Sequence, residues 1–365
     1  MNPFISADFQ NGKLDEWSIT SGSIRLELAD PRNAPWFYFF IQGVDQQTWH
    51  FDIPGLELGQ APVSISYDRF DWTAVDEVRT PSVFVQRFRN EAAVVSLTPP
   101  YTNCMLYELS LWARRSPHVD LEPLGGRHLQ DPLCMHITDF GDQAGKPVVW
   151  VVARESPIQS ASSWVAEGLI RFLLSPHPVA RQLRRTYHFC VVPLLDTAGV
   201  AKGESIRRLT WDESLEGTTM GHIAQLLAEQ HQAGCPTALT VTLTSQVLGA
   251  GGSLMTHQTE PVDVASWFTD LRTASELTAG GFGSWASQLY PDSKALALET
   301  AWYSPKGLRK SQYDLLQEGR QLAHLIGEAL GEAIKEAAAG DEPQDMESFL
   351  PRLARQARTP DASLL

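Results

Sequence analysis

Two kinds of hydrophobic patterning divide the chain. Up to about residue 117, short segments alternate apolar and polar positions, as at residues 23–28, 36–43, 63–67 and 83–88. Asp-Pro, Asn-Gly and Pro-Gly pairs separate them, and a period of two bounded by such turn residues predicts antiparallel strands. Residues 1–117 are therefore expected to form an all-β antiparallel sandwich domain. The consecutive aromatics Trp36, Phe37, Tyr38, Phe39 and Phe40 suit packing between its two sheets better than a ligand-binding face.

From His118 the pattern changes. A continuous apolar run, too short for a helix and rich in β-branched residues, predicts a buried strand at 148–153, and further strands are expected at 133–137, 189–195, 238–244 and 295–300. Segments of helical period fall between and after them, at 160–174, 218–232, 265–277 and 309–338, with a Gly-rich turn at 279–283. Such alternation predicts an α/β domain over residues 118–340, a mostly parallel mixed sheet flanked by helices. Residues 341–365 begin acidic and end small and polar. They read as a flexible tail with one short helix at 346–356.

Composition narrows the function. A net charge of −14 argues against nucleic acid or an anionic membrane surface as partner, because binding phosphates requires concentrated Lys and Arg. No apolar run approaches the ~20 residues of a membrane span, and the N-terminus lacks the basic and apolar regions of a signal peptide. A cytoplasmic location is the expectation. Cys104, Cys134, Cys190 and Cys235 lie far apart, three of them in apolar surroundings, and read as free thiols in a reducing compartment.

The candidate chemistry gathers at the carboxyl ends of the predicted parallel strands, where open α/β sheets place ligands. After the strand 148–153 comes the turn Arg154-Glu155-Ser156-Pro157-Ile158-Gln159-Ser160. It resembles the metal-binding turn of the zinc carboxypeptidase family, in particular its cytosolic-carboxypeptidase-like branch. That family reads Arg-x-His-Pro-Gly-Glu-Ser here, with the His and Glu as two of three zinc ligands. Ser156 stands in the His position and Gln159 in the Glu position.

The resemblance implies the other site positions in turn. It places the third zinc ligand at Thr244, in Thr242-Leu243-Thr244-Ser245-Gln246, where the family has a His. Leu195-Asp196-Thr197-Ala198-Gly199-Val200 keeps the Gly and Val of the family's Asn-Pro-Asp-Gly-Val turn. Gly203-Glu204-Ser205-Ile206-Arg207-Arg208 resembles the segment that supplies an oxyanion-stabilising arginine, a role open to Arg207 or Arg208. The Asn-Arg pair that grips a substrate's terminal carboxylate has no match. Leu298-Glu299-Thr300 is similar to the family's catalytic Glu-Thr, which makes Glu299 the candidate general base.

The resemblance thus implies the family fold, with zinc as the family's cofactor and a zinc site whose ligands are replaced in this chain. The first reading is a pseudoenzyme without bound zinc, whose cleft around Arg154, Ser156, Gln159, Arg207, Arg208 and Glu299 binds a peptide or protein. The alternative is a hydrolase of peptide or amide bonds, acting through a relocated metal or without one. His257, Glu260 and Asp263 are candidates for such a relocated site. None of the ten histidines form the close pairs of a metal site on one element. The stretch Gly249-Ala250-Gly251-Gly252-Ser253 lacks the lysine and spacing of a phosphate loop. Arg181, Arg184 and Arg185 suit the end of a short helix and need no ligand.

Overall fold

A computed structural model describes residues 2–31, 35–56, 63–125, 131–140, 145–204, 211, 218–246, 252–256, 271–273, 281–303 and 309–331. The first part of the chain supplies β1 (Phe4–Ser6), β2 (Glu16–Thr20), β3 (Ser23–Glu27), β4 (Tyr38–Gln42) and β5 (Thr48–Asp52). It continues with β6 (Ser64–Ser66), β7 (Thr73–Ala74), β8 (Glu77–Thr80), β9 (Val83–Arg87) and β10 (Ala92–Ser96). They form two five-stranded sheets, in the orders β1-β4-β10-β6-β7 and β2-β3-β5-β9-β8. Pairing is antiparallel except between β3 and β5. The two sheets share one core that includes Phe37, Phe39, Phe51 and Phe84. Phe37 and Phe39 are 0% exposed, and the Phe39 ring centroid lies 6.1 Å from that of Phe51, so these members of the aromatic run pack inside the sandwich as expected.

The remaining elements are α1 (Asn103–Ala113), β11 (Val119–Pro123), β12 (Leu133–Ile137), β13 (Val148–Ala153), α2 (Ser160–Leu173), α3 (Pro178–Thr186), β14 (His188–Val192) and α4 (Thr197–Ala201). After these come α5 (Thr219–Gln232), β15 (Thr237–Gln246), β16 (Gly252–Thr256), β17 (Leu271–Thr273), α6 (Phe282–Leu289), β18 (Lys294–Ala301) and α7 (Gln312–Ala329). The strands form an eight-stranded mixed sheet in the order β11-β12-β14-β13-β15-β18-β16-β17. Its centre, β14-β13-β15-β18, is parallel.

Strand β13 is buried at every position because helices cover both faces. Val149 and Val151 face a core shared with α1, α2, α3 and α7. Val148, Trp150 and Val152 face one shared with α5 and α6. On the first face α2 and α7 cross at Gly168 and Gly319, close enough for backbone to meet backbone.

Several elements depart from the expectation, each for a tertiary reason. Thr102 opens α1 before the boundary expected at residue 117, its hydroxyl accepting from the Met105 amide at 3.3 Å. Leu106, Leu109 and Ala113 then pack on the α/β core. Leu271–Thr273, within the expected helix 265–277, pairs instead with β16 as a strand. The rest of that range lies outside the described residues, as does the helix expected at 346–356. A helix, Phe282–Leu289, begins within the Gly-rich turn expected at 279–283 and has no counterpart in the sequence reading; Phe282 and Ala286 bury in the core of Trp150 and Trp211. The C-terminal helix starts at Gln312, after a capping box between Ser311 and Asp314.

One packing detail predicts a pH response. His324 on α7 is half-buried beside Phe172 and His177, with ring centroids 5.4 and 6.2 Å away. Burial, then the charges of Arg320 and His177, push its imidazole down to about 4. The folded state therefore takes up this proton less readily than the unfolded chain. Stability present above about pH 6.5 is expected to fall as pH drops through about 4. Urea midpoints across that window test it: His324→Gln should show a shallower decline than wild type, and identical slopes would exclude His324 as the source.

Candidate functional site

The carboxyl edge of the four parallel strands is built from the turns that follow them. Backbone hydrogen bonds stitch these turns together. Arg154 N–H donates to Leu243 O at 3.3 Å, Leu195 N–H to Ala153 O at 3.1 Å, and Asp196 N–H to Arg154 O at 3.2 Å. On the far side Thr244 lies directly across from Glu299, and the Thr300 hydroxyl donates to Thr244 O at 3.1 Å. The turn of Ser156 and the strand ends carrying Thr244 and Glu299 thus meet at one edge. This follows from parallel register, since Ala153 pairs with Leu243 and Leu243 with Leu298.

Arg154 holds this edge together from inside. Its backbone is left-handed at φ 60°, and its side chain is 1% exposed. The guanidinium donates to Pro157 O through Nε, at 3.0 Å, and through Nη2, and to Tyr101 O through Nη1. Burial pushes its pKa down to about 9, against the opposing pull of Asp196 and Tyr101. The turn is therefore tied to the segment that leaves the sandwich. A buried hydroxyl pair, Thr98 and Ser160 at 3.1 Å, adds a second tie at the start of α2.

Ser156 is half-buried on the turn, and its carbonyl accepts from the Gln159 amide at 3.1 Å. Gln159 is the N-cap residue of α2 but makes no side-chain cap. Its Oε1 is buried without a partner among the described residues. Arg207, Arg208, His257, Glu260 and Asp263 lie outside the described residues.

Sequence reading passed over Glu155 and Asp196, which shape this edge, and named Gly199 without its packing role. Glu155 Oε1 accepts from Trp211 Nε1 at 2.9 Å and from the Phe282 amide at 2.8 Å, which places a carboxylate at the N-terminus of α6. Burial pushes its pKa up, and these two bonds oppose the shift. Asp196 caps α4 through the Gly199 amide at 2.9 Å. A Cβ at Gly199 would stand 2.5 Å from Asp196 Oδ2 and 2.6 Å from Pro157 Cγ, so this position must stay small for the two turns to pack. The flanking Glu-Ser-Pro and Asp-x-x-Gly patterns were the available signal. Among the described residues, one group of side chains is dense enough to hold a metal, and it lies elsewhere on the sheet: Cys134, His136 and Cys190.

No protein-family model matches the chain. A 208-residue segment is 28% identical to cytosolic carboxypeptidase 6 of Mus musculus, covering 49% of this chain and 38% of that protein. A 240-residue segment is 27% identical to cytosolic carboxypeptidase 6 of Caenorhabditis elegans, covering 55% and 51%. A shorter match, 40% over 68 residues, is to cytosolic carboxypeptidase 1 of Danio rerio, covering 19% and 6%. The chain thus spans about half or less of these relatives. Among solved structures, a metallo-carboxypeptidase from Burkholderia cenocepacia aligns over 91% of this chain and 99% of its own, with TM-score 0.74 and 18% identity. The metallo-carboxypeptidase from Pseudomonas aeruginosa in complex with (2-guanidinoethylmercapto)succinic acid aligns over 89% and 100%, with TM-score 0.69 and 16% identity. The chain is thus similar in sequence to cytosolic carboxypeptidases and has the fold of the metallo-carboxypeptidases, a likeness that supports the cytosolic-carboxypeptidase-like branch of the zinc carboxypeptidase family.

Proposed function

We propose that the chain is a non-hydrolytic member of its family, a pseudoenzyme that binds a peptide or protein segment at the carboxyl edge of its sheet without cleaving it. The observation that carries this reading is the donor set at Ser156, Gln159 and Thr244. A hydrolytic zinc takes imidazole, thiolate or carboxylate ligands and keeps one position open for the water it activates. Two hydroxyls and a carboxamide are neutral oxygen donors and do not fit that ion. No metal-activated water is therefore assigned to this edge, and Glu299 has no such water to deprotonate.

What remains suits binding. Leaving a buried acceptor such as Gln159 Oε1 unpaired costs about 1–3 kcal/mol. Rotation of this part-exposed side chain would bring the carboxamide to the surface, where a peptide N–H would recover that. In this reading Glu299 supplies a second acceptor on the same edge, and Arg154 keeps the turn rigid rather than touching the ligand.

The test is incubation of zinc-supplemented protein with labelled peptides ending in acidic or small residues. Binding without release of the C-terminal residue is expected, with Gln159→Ala weakening the anisotropy signal by about 1–2 kcal/mol, or roughly 5- to 30-fold. Zinc-dependent release that disappears in Glu299→Gln would overturn this reading and favour the alternative, a hydrolase with a relocated metal.

A further inference from the structure

The outer part of the sheet, away from the candidate cleft, carries two cysteines and two histidines on adjacent antiparallel strands. Cys134 and His136 stand on one face of β12, and His188 and Cys190 on the same face of β14, with His136 directly across from Cys190. We propose that Cys134, His136, His188 and Cys190 form a structural site for a thiophilic tetrahedral cation of the zinc class.

The spacing suits such an ion. With about 2.0–2.1 Å to nitrogen and about 2.3 Å to sulfur, tetrahedral zinc holds its ligand atoms roughly 3.3 Å apart for two nitrogens, 3.5 Å for nitrogen and sulfur and 3.8 Å for two sulfurs. Here His136 Nδ1 lies 3.1 Å from His188 Nε2 and 3.5 Å from Cys190 Sγ, while His188 Nε2 lies 3.9 Å from Cys190 Sγ. The ligand atoms of Cys134, His136 and Cys190 all fall within 4.8 Å of one another. Two thiols and two imidazoles match the preference of zinc for sulfur and nitrogen, and four protein ligands leave no open position.

The surroundings are arranged as the outer shell of a metal site. Glu122 on β11 lies 2.9 Å from His136 Nε2. A proton held there leaves Nδ1 with its lone pair turned toward the cysteines, the carboxylate–histidine–metal relay common around zinc. His222 of α5 reaches the other Glu122 oxygen at 3.3 Å. Gln230 of α5 donates to Cys190 Sγ at 3.2 Å, as suits a thiolate, and Trp150 Nε1 holds the Gln230 carbonyl at 3.0 Å.

Two other uses of these thiols fit less well. Cys134 and Cys190 are both 0% exposed, so neither can meet a substrate as a nucleophile. By register they are diagonal rather than opposed, a spacing of about 7–8 Å between strands that exceeds the span of a disulfide. Nor is this the candidate cleft. Cys190 is level with Trp150 and Thr240, four residues before Thr244, or about 13 Å along the strand. The ion would clamp β12 to β14 and, through Glu122, His222 and Gln230, hold β11 and α5 to that edge.

Cobalt(II) titration of the reduced full-length protein tests the site independently of any activity at the cleft. About one cobalt per chain is expected, with the near-ultraviolet absorption of a thiolate–cobalt bond and the intense visible bands of tetrahedral cobalt, both displaced by zinc. Cys134→Ser and Cys190→Ser should each weaken the thiolate absorption, and the double variant should lose it, while Glu299→Gln keeps it. Glu122→Gln should keep the spectrum with affinity weakened about 10–100-fold. Folded, reduced wild-type protein without a thiolate band would overturn the proposal. So would a band that survives in the folded double serine variant, or two missing thiols per chain in protein denatured without reductant, since the last would show a disulfide.

Discussion

Gly319→Ala is expected to destabilise the protein by about 2–4 kcal/mol, although alanine is the better helix former by about 1 kcal/mol. The penalty arises where α2 crosses α7. A Cβ on Gly319 would stand 2.1 Å from Val165 O and 2.5 Å from Leu169 N, and one on Gly168 would stand 2.1 Å from Leu316 O. Each clash is with backbone, so no rotamer change relieves it and the two helices must move apart. Separation strips contacts from Leu169, Leu322 and Ile326, which the same core buries. Because α2 begins at Ser160, directly after the turn of Ser156 and Gln159, the displacement also reaches the candidate site. Chemical denaturation measures the effect, with Gln321→Ala on the exposed face of α7 as a control expected within about 0.5 kcal/mol of wild type. Equal stability of Gly319→Ala and that control would show that the crossing is looser than described.

Replacing Arg154 with alanine is expected to cost about 2–4 kcal/mol, because it strands the buried carbonyls of Tyr101 and Pro157. Hydrogen bonds from a charged donor contribute about 1.5–3 kcal/mol each, offset in part by no longer burying the charge. Arg154→Lys should recover only part of the loss, since one ammonium lacks the planar fork that reaches both carbonyls. The alanine variant keeps the left-handed backbone at this position, so relief of strain does not compensate. Denaturation midpoints for the two variants, with limited proteolysis of the segment around Tyr101, check this. Wild-type midpoints in both would remove Arg154 as the tie between the sandwich exit and the turn, and would return it to consideration as a ligand-binding group.

Both predictions concern contacts that join distant parts of the chain, and they mark where sequence reading stops. Strands 148–153 and 133–137 were legible to the residue, and the change from antiparallel β to α/β patterning was legible in outline, because side chains of one strand or helix repeat with a local period. That the candidate positions Ser156, Gln159, Thr244 and Glu299 fall at strand ends was legible by motif. Parallel strands bring their carboxyl ends to one edge whatever lies between them in sequence, and Thr244 is indeed the register neighbour of Glu299.

Periodicity states which face of an element is buried but not against what. Short, weakly patterned elements such as β17 and α6 acquire their structure from a neighbouring strand or an aromatic cluster, so they were misread or missed. Arg154, a cleft candidate by motif, is 1% exposed and donates to the Tyr101 and Pro157 carbonyls, contacts that no local pattern announces. His136 and His188 lie 52 positions apart and read as scattered, yet strand pairing brings their ring nitrogens to 3.1 Å beside two buried thiols. The sequence alone determined most kinds of element and which residue types stand at the strand ends, because both are written in residue type and local spacing. The pairing of distant strands and the close helix crossing were decided by tertiary structure, which selects partners by shape and burial across the whole chain.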